Sequence, residues 1–210
     1  MMASRKNALE RKTLDIDVVR PSAIAPDDLA AWSQIQADDP DLASPFLSPR
    51  WALAVERVGE GRRGRIQVCV LRDGGKAVGF FVARVVGATA MPVGAPMCDY
   101  QALVAAPGVG VASKDLLDAL GVQRLDFCHM LADRAPFAAY ERGQCASYQL
   151  DLSQGYDAYA AARREAGSGV IKDIDKRRRK VEREVGPVTF VARSADDAAF
   201  EQLLAWKRRQ

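Results

Sequence analysis

The sequence predicts an α/β fold in which a mixed, mostly antiparallel sheet is flanked by helices. Segments that alternate between apolar and polar residues are interspersed with segments of helical periodicity, and this order is typical of an α/β protein. The dipeptide Asp73-Gly74 lies between two apolar runs and predicts an antiparallel hairpin. Hydrophobic residues make up 49% of the 210 residues, which is enough to form a core.

Strand signals recur along the chain. The first is Leu14–Val19, which alternates apolar and polar residues as a half-buried strand does. The hairpin pairs Ile66–Leu71 with Val78–Val86. The remaining predicted strands or extended stretches are 93–105, 124–131, 147–152 and 188–193.

Helix signals lie between these segments. Asp27 or Asp28 can cap a helix that runs to about residue 37. Ser48 is a good N-cap and Pro49 suits the first turn of a second helix. Its apolar residues at helical spacing are Trp51, Leu53, Ala54 and Val58, and Gly59 and Gly61 end it. Further helices are predicted at 113–120, at 156–184 with a break at Gly167 and Gly169, and at 198–209, opened by Asp196 or Asp197.

The charge is concentrated in one place. The chain carries a net charge of only +3, from 30 basic and 27 acidic residues. Residues 168–186 hold seven basic and four acidic side chains, so this segment has the same net charge as the whole chain. A dedicated nucleic-acid-binding protein usually has a more basic balance, so any anion-binding role belongs to this segment or to single residues elsewhere.

The basic run Lys176–Lys180 admits two interpretations. The apolar residues around it form one narrow helical stripe, namely Ile171, Ile174, Val181 and Val185. Acidic residues are mixed with the basic ones, which favours a solvated helix face with i,i+4 ion pairs. The alternative is a nucleic-acid interface, although no aromatic residue interrupts the run to stack on bases.

Other features place the protein in the cytoplasm. The N-terminal residues 1–12 are polar and lack the apolar core of a secretory signal, and no apolar stretch is long enough to cross a bilayer. The four cysteines are widely spaced and are predicted to be reduced. One histidine and scattered cysteines give no metal-ligand spacing, so no metal site is predicted.

Four motifs in order along the chain resemble those of a known family. They are PFLSPRW (45–51), VCVLRDGGKAVGFF (68–81), GAPMCDYQALV (94–104) and IKDIDKRRRKVEREVGPVTF (171–190). The ordered set is similar to the FemAB-like acyltransferases and to their CelD-like relatives in bacterial cellulose and exopolysaccharide gene neighbourhoods. The resemblance covers the chain from about Phe46 to its end.

The resemblance implies a GNAT-like fold and two such domains in the whole protein. On this interpretation residues 1–153 form the N-terminal GNAT-like domain. Residues 154–210 form a basic connecting helix with the first strand and helix of a truncated second unit. The final helix has no C-cap signal, which agrees with a second domain after Gln210. The donor, acetyl-CoA or another acyl-CoA, is then expected mainly on that second domain.

The resemblance also implies the chemistry, which is acyl transfer to a hydroxyl or amine. Asp99 and Tyr100 follow a turn-like Gly94-Ala-Pro96 lead and are the main catalytic candidates, with His129 as a weaker one. The alternatives are a turn-capping aspartate, a tyrosine packed on the sheet, and a histidine on the apolar face of its strand. The remaining candidates are Arg50, Arg179 and Arg183 for the acceptor and Gly108 and Gly110 for the cofactor.

Gly108 and Gly110 depart from the expected cofactor loop. A GNAT loop carries Gln or Arg ahead of its glycines, and Ala105 stands at that position here. The two glycines can equally belong to an ordinary flexible loop. An intact CoA loop is therefore not visible in this part of the chain.

The predicted function is the acceptor-binding half of an acetyl-CoA-dependent N- or O-acyltransferase. Its acceptor would be a sugar or amine in a cell-envelope or exopolysaccharide precursor, with peripheral association to envelope-synthesis machinery and no specific nucleic-acid partner. One alternative is a degenerate, non-catalytic GNAT module that serves as a scaffold or binds a partner. A weaker alternative is nucleic-acid binding through Lys176–Lys180.

Overall fold

The computed structural model describes residues 14–59, 64–132, 136–148 and 150–210. The chain divides into two compact units, Met1–Ala146 and Ser147–Gln210, whereas the predicted boundary lies between residues 153 and 154. The described residues form a mixed, mostly antiparallel sheet and six helices, so the predicted α/β class is confirmed. The GNAT-like arrangement and the second GNAT-like unit stay predictions.

The first unit contains one six-stranded sheet. The strands follow the spatial order β1-β2-β3-β4-β6, and β5 pairs with β3 outside this path. The pair β4 and β6 is parallel, and the other pairs are antiparallel. The strand bounds are β1 Asp15–Val19, β2 Arg65–Asp73, β3 Lys76–Val86, β4 Thr89–Met91, β5 Val104–Ala105 and β6 Arg124–Leu125.

The predicted hairpin is the centre of this sheet. Asp73 of β2 pairs with Lys76 of β3, so Gly74 and Gly75 alone form the turn. Both glycines have positive φ, 57° and 84°, as the two central residues of a type I′ turn require. The turn sequence thereby sets the pairing at the turn end of the two longest strands, and an irregularity between Leu71 and Arg72 shifts the register beyond it.

The six helices agree with the predicted segments. Their bounds are α1 Pro26–Asp38, α2 Pro49–Gly59, α3 Ser113–Leu120, α4 Gly155–Glu165, α5 Val170–Glu184 and α6 Asp197–Arg209. Ser48 caps α2, because its Oγ accepts a hydrogen bond from the Trp51 N–H at 3.2 Å. The predicted stop signal Gly61 lies outside the described residues. No helix in the described ranges is long and apolar enough to span a membrane.

Helices cover both faces of the sheet. Side chains alternate along β2 and β3, so Val68, Val70 and Phe80 share one core with residues of α1 and α2. The intervening side chains pack on the other face in a second core with α3 residues. Trp32 of α1 is fully buried, stacks on Phe80 with ring centroids 4.9 Å apart, and donates a hydrogen bond to the Leu47 carbonyl.

An ion cluster fixes one end of the sheet. The Arg72 guanidinium of β2 makes two hydrogen bonds to Asp28 of α1, at 2.8 and 3.1 Å, and a third to Asp17 of β1. The Asp28 carboxylate, followed by that of Asp17, raises the pKa of Arg72. The bidentate geometry joins two strands and a helix at one point.

The predicted apolar face of α2 is wrong in part. Val58 is 86% exposed, whereas Ala52 and Glu56 are buried. The Glu56 carboxylate accepts hydrogen bonds from the Ser22 N–H at 2.8 Å and the Ser22 Oγ at 3.2 Å. A satisfied carboxylate therefore occupies a buried position that hydrophobic periodicity assigns to solvent.

The second unit contains α4, α5 and α6. The break between α4 and α5 falls at residues 166–169, and Gly167 has a φ of 78°, so the predicted interruption is confirmed. Asp196 caps α6 through bonds from two backbone N–H groups. On α5, Ile171 is buried but Ile174 and Val181 are 47% and 42% exposed, so only the start of the predicted stripe is packed.

Several predicted strands are wrong. The described residues of 147–152 and all of 188–193 form no strand, and Tyr148 and Phe190 are 96% and 89% exposed. Strand-like alternation does not make a strand where no partner supplies hydrogen bonds. The stretches 93–105 and 124–131 are strands only at Val104–Ala105 and Arg124–Leu125.

Candidate functional site

The candidate site lies at a gap along one edge of β3. Strand β4 pairs with residues 84–86 of β3, and β5 pairs with residues 79 and 80. Between these two partners, positions 81–83 have no strand neighbour on this side in the described part of the chain. The intervening segment 92–103, here called the excursion, leaves the sheet edge and returns as β5.

A cleft occupies this gap. Its empty space is about 390 Å³, part of which is open to solvent. The lining comes from the excursion, from β3 and β5, and from the turn and helix around α2. The lining residues are Phe46, Leu47, Trp51, Ala52, Phe81, Val82, Val93, Cys98, Tyr100, Gln101, Ala102 and Val104.

Two aromatic rings form one wall of the cleft. Phe46 and Trp51 meet edge to face with centroids 4.9 Å apart. The Trp51 indole N–H donates to the Val93 carbonyl at 3.4 Å, which ties α2 to the excursion. Gly94 follows with a φ of 82°, and a Cβ built on it would lie 2.3 Å from Trp51 Cζ2. Only glycine fits this contact without movement.

Cys98 holds the next turn of the excursion. Its side chain is buried, and its thiol donates to the Tyr100 carbonyl at 2.9 Å. Burial raises the pKa of the Cys98 thiol, which keeps it protonated and suited to donate. The bond curls the chain so that Asp99, between the two residues, is exposed while Tyr100 lines the cleft.

The structure brings the three catalytic candidates onto adjoining segments. The Gln101 N–H donates to the His129 carbonyl at 2.9 Å, and the Leu131 N–H donates to the Gln101 carbonyl at 2.9 Å. Asp99 and Tyr100 therefore lie on a segment that runs beside the one carrying His129. The backbone contact does not itself bring the His129 imidazole into the cleft, and His129 is not among the lining residues.

The prediction that His129 lies on the apolar face of a strand is wrong. Its φ is 52°, in the left-handed region, and its side chain is exposed. The segment first bonds to β4 through the Asp126 N–H and then turns to pair with Gln101. This change of partner interrupts the extended conformation, so the alternation of apolar residues there does not describe one sheet face.

The two candidate cofactor glycines lie in a turn ahead of α3. Gly108 has a φ of 80°, and the Val109 N–H is already bonded to the Ala106 carbonyl at 3.2 Å. At the start of α3 the Asp115 carboxylate accepts from the Ala112 N–H at 3.3 Å. A carboxylate at this helix N-terminus competes with a phosphate for the same backbone donor, and its charge disfavours a second anion there.

Acetyl-CoA is therefore expected to bind this chain weakly, with a dissociation constant of about 100 μM or weaker. The reason is that the Asp115 carboxylate places a negative charge at the start of α3, just after the turn that carries Gly108 and Gly110. Calorimetric titration with acetyl-CoA checks this. Tight binding with one site per chain, lost in Gly110→Val, would contradict the expectation and assign the pyrophosphate to this turn.

The arginine candidates lie apart in the chain. Arg50 is exposed on the first turn of α2. Arg179 and Arg183 are exposed on α5 of the second unit, and Arg183 pairs with Glu184 at 3.1 Å. Further i,i+4 pairs on α5 join Arg178 to Glu182 and Lys180 to Glu184, at 4.0 and 3.9 Å. These pairs agree with the interpretation of a solvated helix face.

Sequence patterns identified only part of the cleft. The patterns predict Asp99 and Tyr100 as site residues, of which only Tyr100 lines the cleft, whereas they predict Trp51 only as an apolar residue of α2 and give Phe46 no role. The signal for these aromatic residues was the motif PFLSPRW, which precedes a helix start and carries two rings five residues apart. No protein-family model, curated protein or solved structure matches the chain.

Proposed function

We propose that this protein is the acceptor-binding part of a GNAT-type N- or O-acyltransferase that takes acyl groups from acyl-CoA. The observation that carries the proposal is the cleft at the open edge of β3, with Trp51 and Phe46 on one wall and Tyr100 on another. The exposed Asp99 carboxylate directly precedes Tyr100 in the sequence. The resemblance of the four motifs supplies the reaction class.

The cleft suits a sugar or amine acceptor. Small-molecule sites are concave and mostly apolar, with a few polar groups that fix orientation. Here the aromatic rings supply a flat apolar surface, and Tyr100 and Gln101 are polar residues of the lining. A hydroxyl or amine of a cell-envelope or exopolysaccharide precursor is the proposed nucleophile.

The proposed reaction moves one acyl group and one proton. The acceptor oxygen or nitrogen attacks the thioester carbon, and a tetrahedral oxyanion forms. The C–S bond then breaks, the acyl group stays on the acceptor, and the CoA thiolate takes up a proton. Asp99 is the proposed acceptor of the nucleophile's proton, and Tyr100 orients the nucleophile by a hydrogen bond.

A transfer assay tests the proposal. The complete product of the gene is mixed with acetyl-CoA and with a hexose or a hexosamine, and free CoA thiol is measured with a thiol reagent. We expect release of CoA that depends on the acceptor and acetyl-acceptor formed in equal amount. Thiol release at the same rate with and without each acceptor would contradict the proposal.

A non-catalytic GNAT module is the alternative that one observation favours. The Asp115 carboxylate at the start of α3 puts a negative charge next to the Gly108 turn, where the resemblance would place the phosphate-binding loop. A scaffold would retain the cleft without turnover. Saturable acceptor binding with no acetyl transfer by the complete gene product is the outcome that would favour this alternative.

A further inference from the structure

Arg84 occupies an unusual position in the middle of the sheet. It lies on β3, where it pairs with Ile66 of β2 on one side and Met91 of β4 on the other. The side chain is half-buried, and its Nε is buried without a hydrogen-bond partner. No acid of the described ranges forms an ion pair with its guanidinium. A buried donor without a partner costs free energy, so the structure retains Arg84 at a cost to stability.

A second arginine on the same face of the sheet shows how this fold satisfies such a group. The Arg72 guanidinium is held by Asp28 and Asp17 through three hydrogen bonds. Asp15 and Asp17 of β1 both stand at the Arg72 end, whereas apolar residues flank Arg84. Within the ranges that the structure describes, carboxylates are therefore supplied to one arginine of this face and none to the other.

Arg84 stands beside the cleft. Val82 is two residues along β3 on the same strand face, and Val93 is two residues beyond the cross-strand neighbour Met91. Both valines line the cleft. Residues two apart on a strand are separated by about 7 Å, which an arginine side chain can span. Arg84 is not itself a lining residue, but its half-buried side chain is long enough for the end of the guanidinium to meet a ligand bound in the cleft.

We propose that Arg84 binds an oxyanion, a phosphate or a carboxylate, carried by a ligand whose neutral body lies in the cleft. Guanidinium binds both anions through two parallel hydrogen bonds, and the terminal nitrogens of Arg84 make no hydrogen bond to a described residue that would compete with them. The apolar neighbours Ile66 and Met91 lower the local dielectric and strengthen such a pair. Anion binding at Arg84 does not depend on acyl transfer, so it can be established or refuted by itself.

The experiment follows thermal unfolding and calorimetric binding with inorganic phosphate and, separately, with acetate. Ionic strength is held constant with chloride so that general screening does not change. We expect one of the two anions to raise the melting temperature in a saturable way. A response to phosphate would identify the ligand as one that carries a phosphate. A response to acetate would identify it as one that carries a carboxylate. A response to neither anion would overturn the proposal.

Variants separate a binding residue from a structural one. Arg84→Met should weaken anion binding by about tenfold or more. In the absence of anion it should melt at or above the wild-type temperature, because it removes a buried donor without a partner. Arg65→Met, at an exposed position on β2, is the matched control and should keep the anion response.

The opposite pattern would assign Arg84 to structure alone. A lower melting temperature for Arg84→Met, with the anion response unchanged, would overturn the proposal. Arg84→Lys keeps the positive charge and the aliphatic part of the side chain. It replaces the methionine variant in this test if that variant does not fold. It should fold and bind the anion more weakly than wild type, because it loses the planar pair of donors. Binding equal to wild type in Arg84→Lys would also overturn the proposal.

Discussion

Gly94→Ala is expected to lower the free energy of unfolding by about 3 kcal/mol. Two causes add. The φ of 82° is strained for any residue with a Cβ, and that Cβ would lie 2.3 Å from Trp51 Cζ2. Trp51 must then leave its place against the excursion and lose its hydrogen bond to Val93. Urea unfolding followed by tryptophan fluorescence measures the change.

Gly108→Ala is the matched control for the first of these causes. Gly108 has nearly the same φ, 80°, but no atom lies within 4 Å of the position of its Cβ. Gly108→Ala should lower the free energy of unfolding only by the cost of the backbone conformation, about 1 kcal/mol. An equal loss in the two variants would show that the Trp51 contact contributes nothing to the stability of the cleft wall.

Asp99→Asn is expected to reduce acyl transfer by about a hundred-fold while the melting temperature stays nearly unchanged. The amide cannot accept a proton from the nucleophile, but it has the shape of the carboxylate. The side chain is exposed, so its contribution to folding is small. Initial rates of CoA release by the complete gene product, together with thermal unfolding, measure both effects.

Tyr100→Phe is the companion variant, and it should reduce transfer more mildly because it removes only a hydroxyl from the cleft. Asp126→Asn changes a carboxylate outside the cleft and should leave the rate of transfer unchanged. A lowered melting temperature with full turnover in Asp99→Asn would instead return Asp99 to the role of a turn residue. The proposed general base would then have to be sought elsewhere.

Local signals were sufficient for the helices and the hairpin. The α3 helix spans Ser113–Leu120 as predicted, and Gly74 and Gly75 form the turn that joins β2 to β3. These features depend on residues close in sequence, such as caps and turn glycines, and so they can be recognised without knowledge of the tertiary structure.

Strand length depends instead on distant partners, and the predictions failed there. Residues 126–131 alternate as a strand does, yet His129 takes a left-handed conformation where the segment changes from β4 to Gln101. Residues 188–193 have the same alternation without a neighbouring strand among the described residues. Pairing along the chain cannot be read from periodicity alone.

Only those residues of the candidate site that are neighbours in the sequence could be predicted from it. Asp99 and Tyr100 stand together after a turn signal, whereas Trp51 joins them only because α2 crosses the excursion. Arg84 lies within an apolar strand run, and nothing in the pattern marks it. Arg84 becomes a candidate because its buried Nε has no hydrogen-bond partner, and only the three-dimensional structure shows this.

Two short strands, β4 and β5, pair with different parts of the β3 edge. The excursion that lines the cleft lies between them, so the sheet and the cleft depend on different residues. The pairs Arg84–Met91 and Phe80–Val104 fix the two ends of the excursion on the same strand. Because both ends are held independently, changes in the exposed turn at Pro96 and Met97 leave the register of β4 and β5 in place. Related proteins could thus acquire different ligands by varying this single loop while inheriting an unaltered sheet.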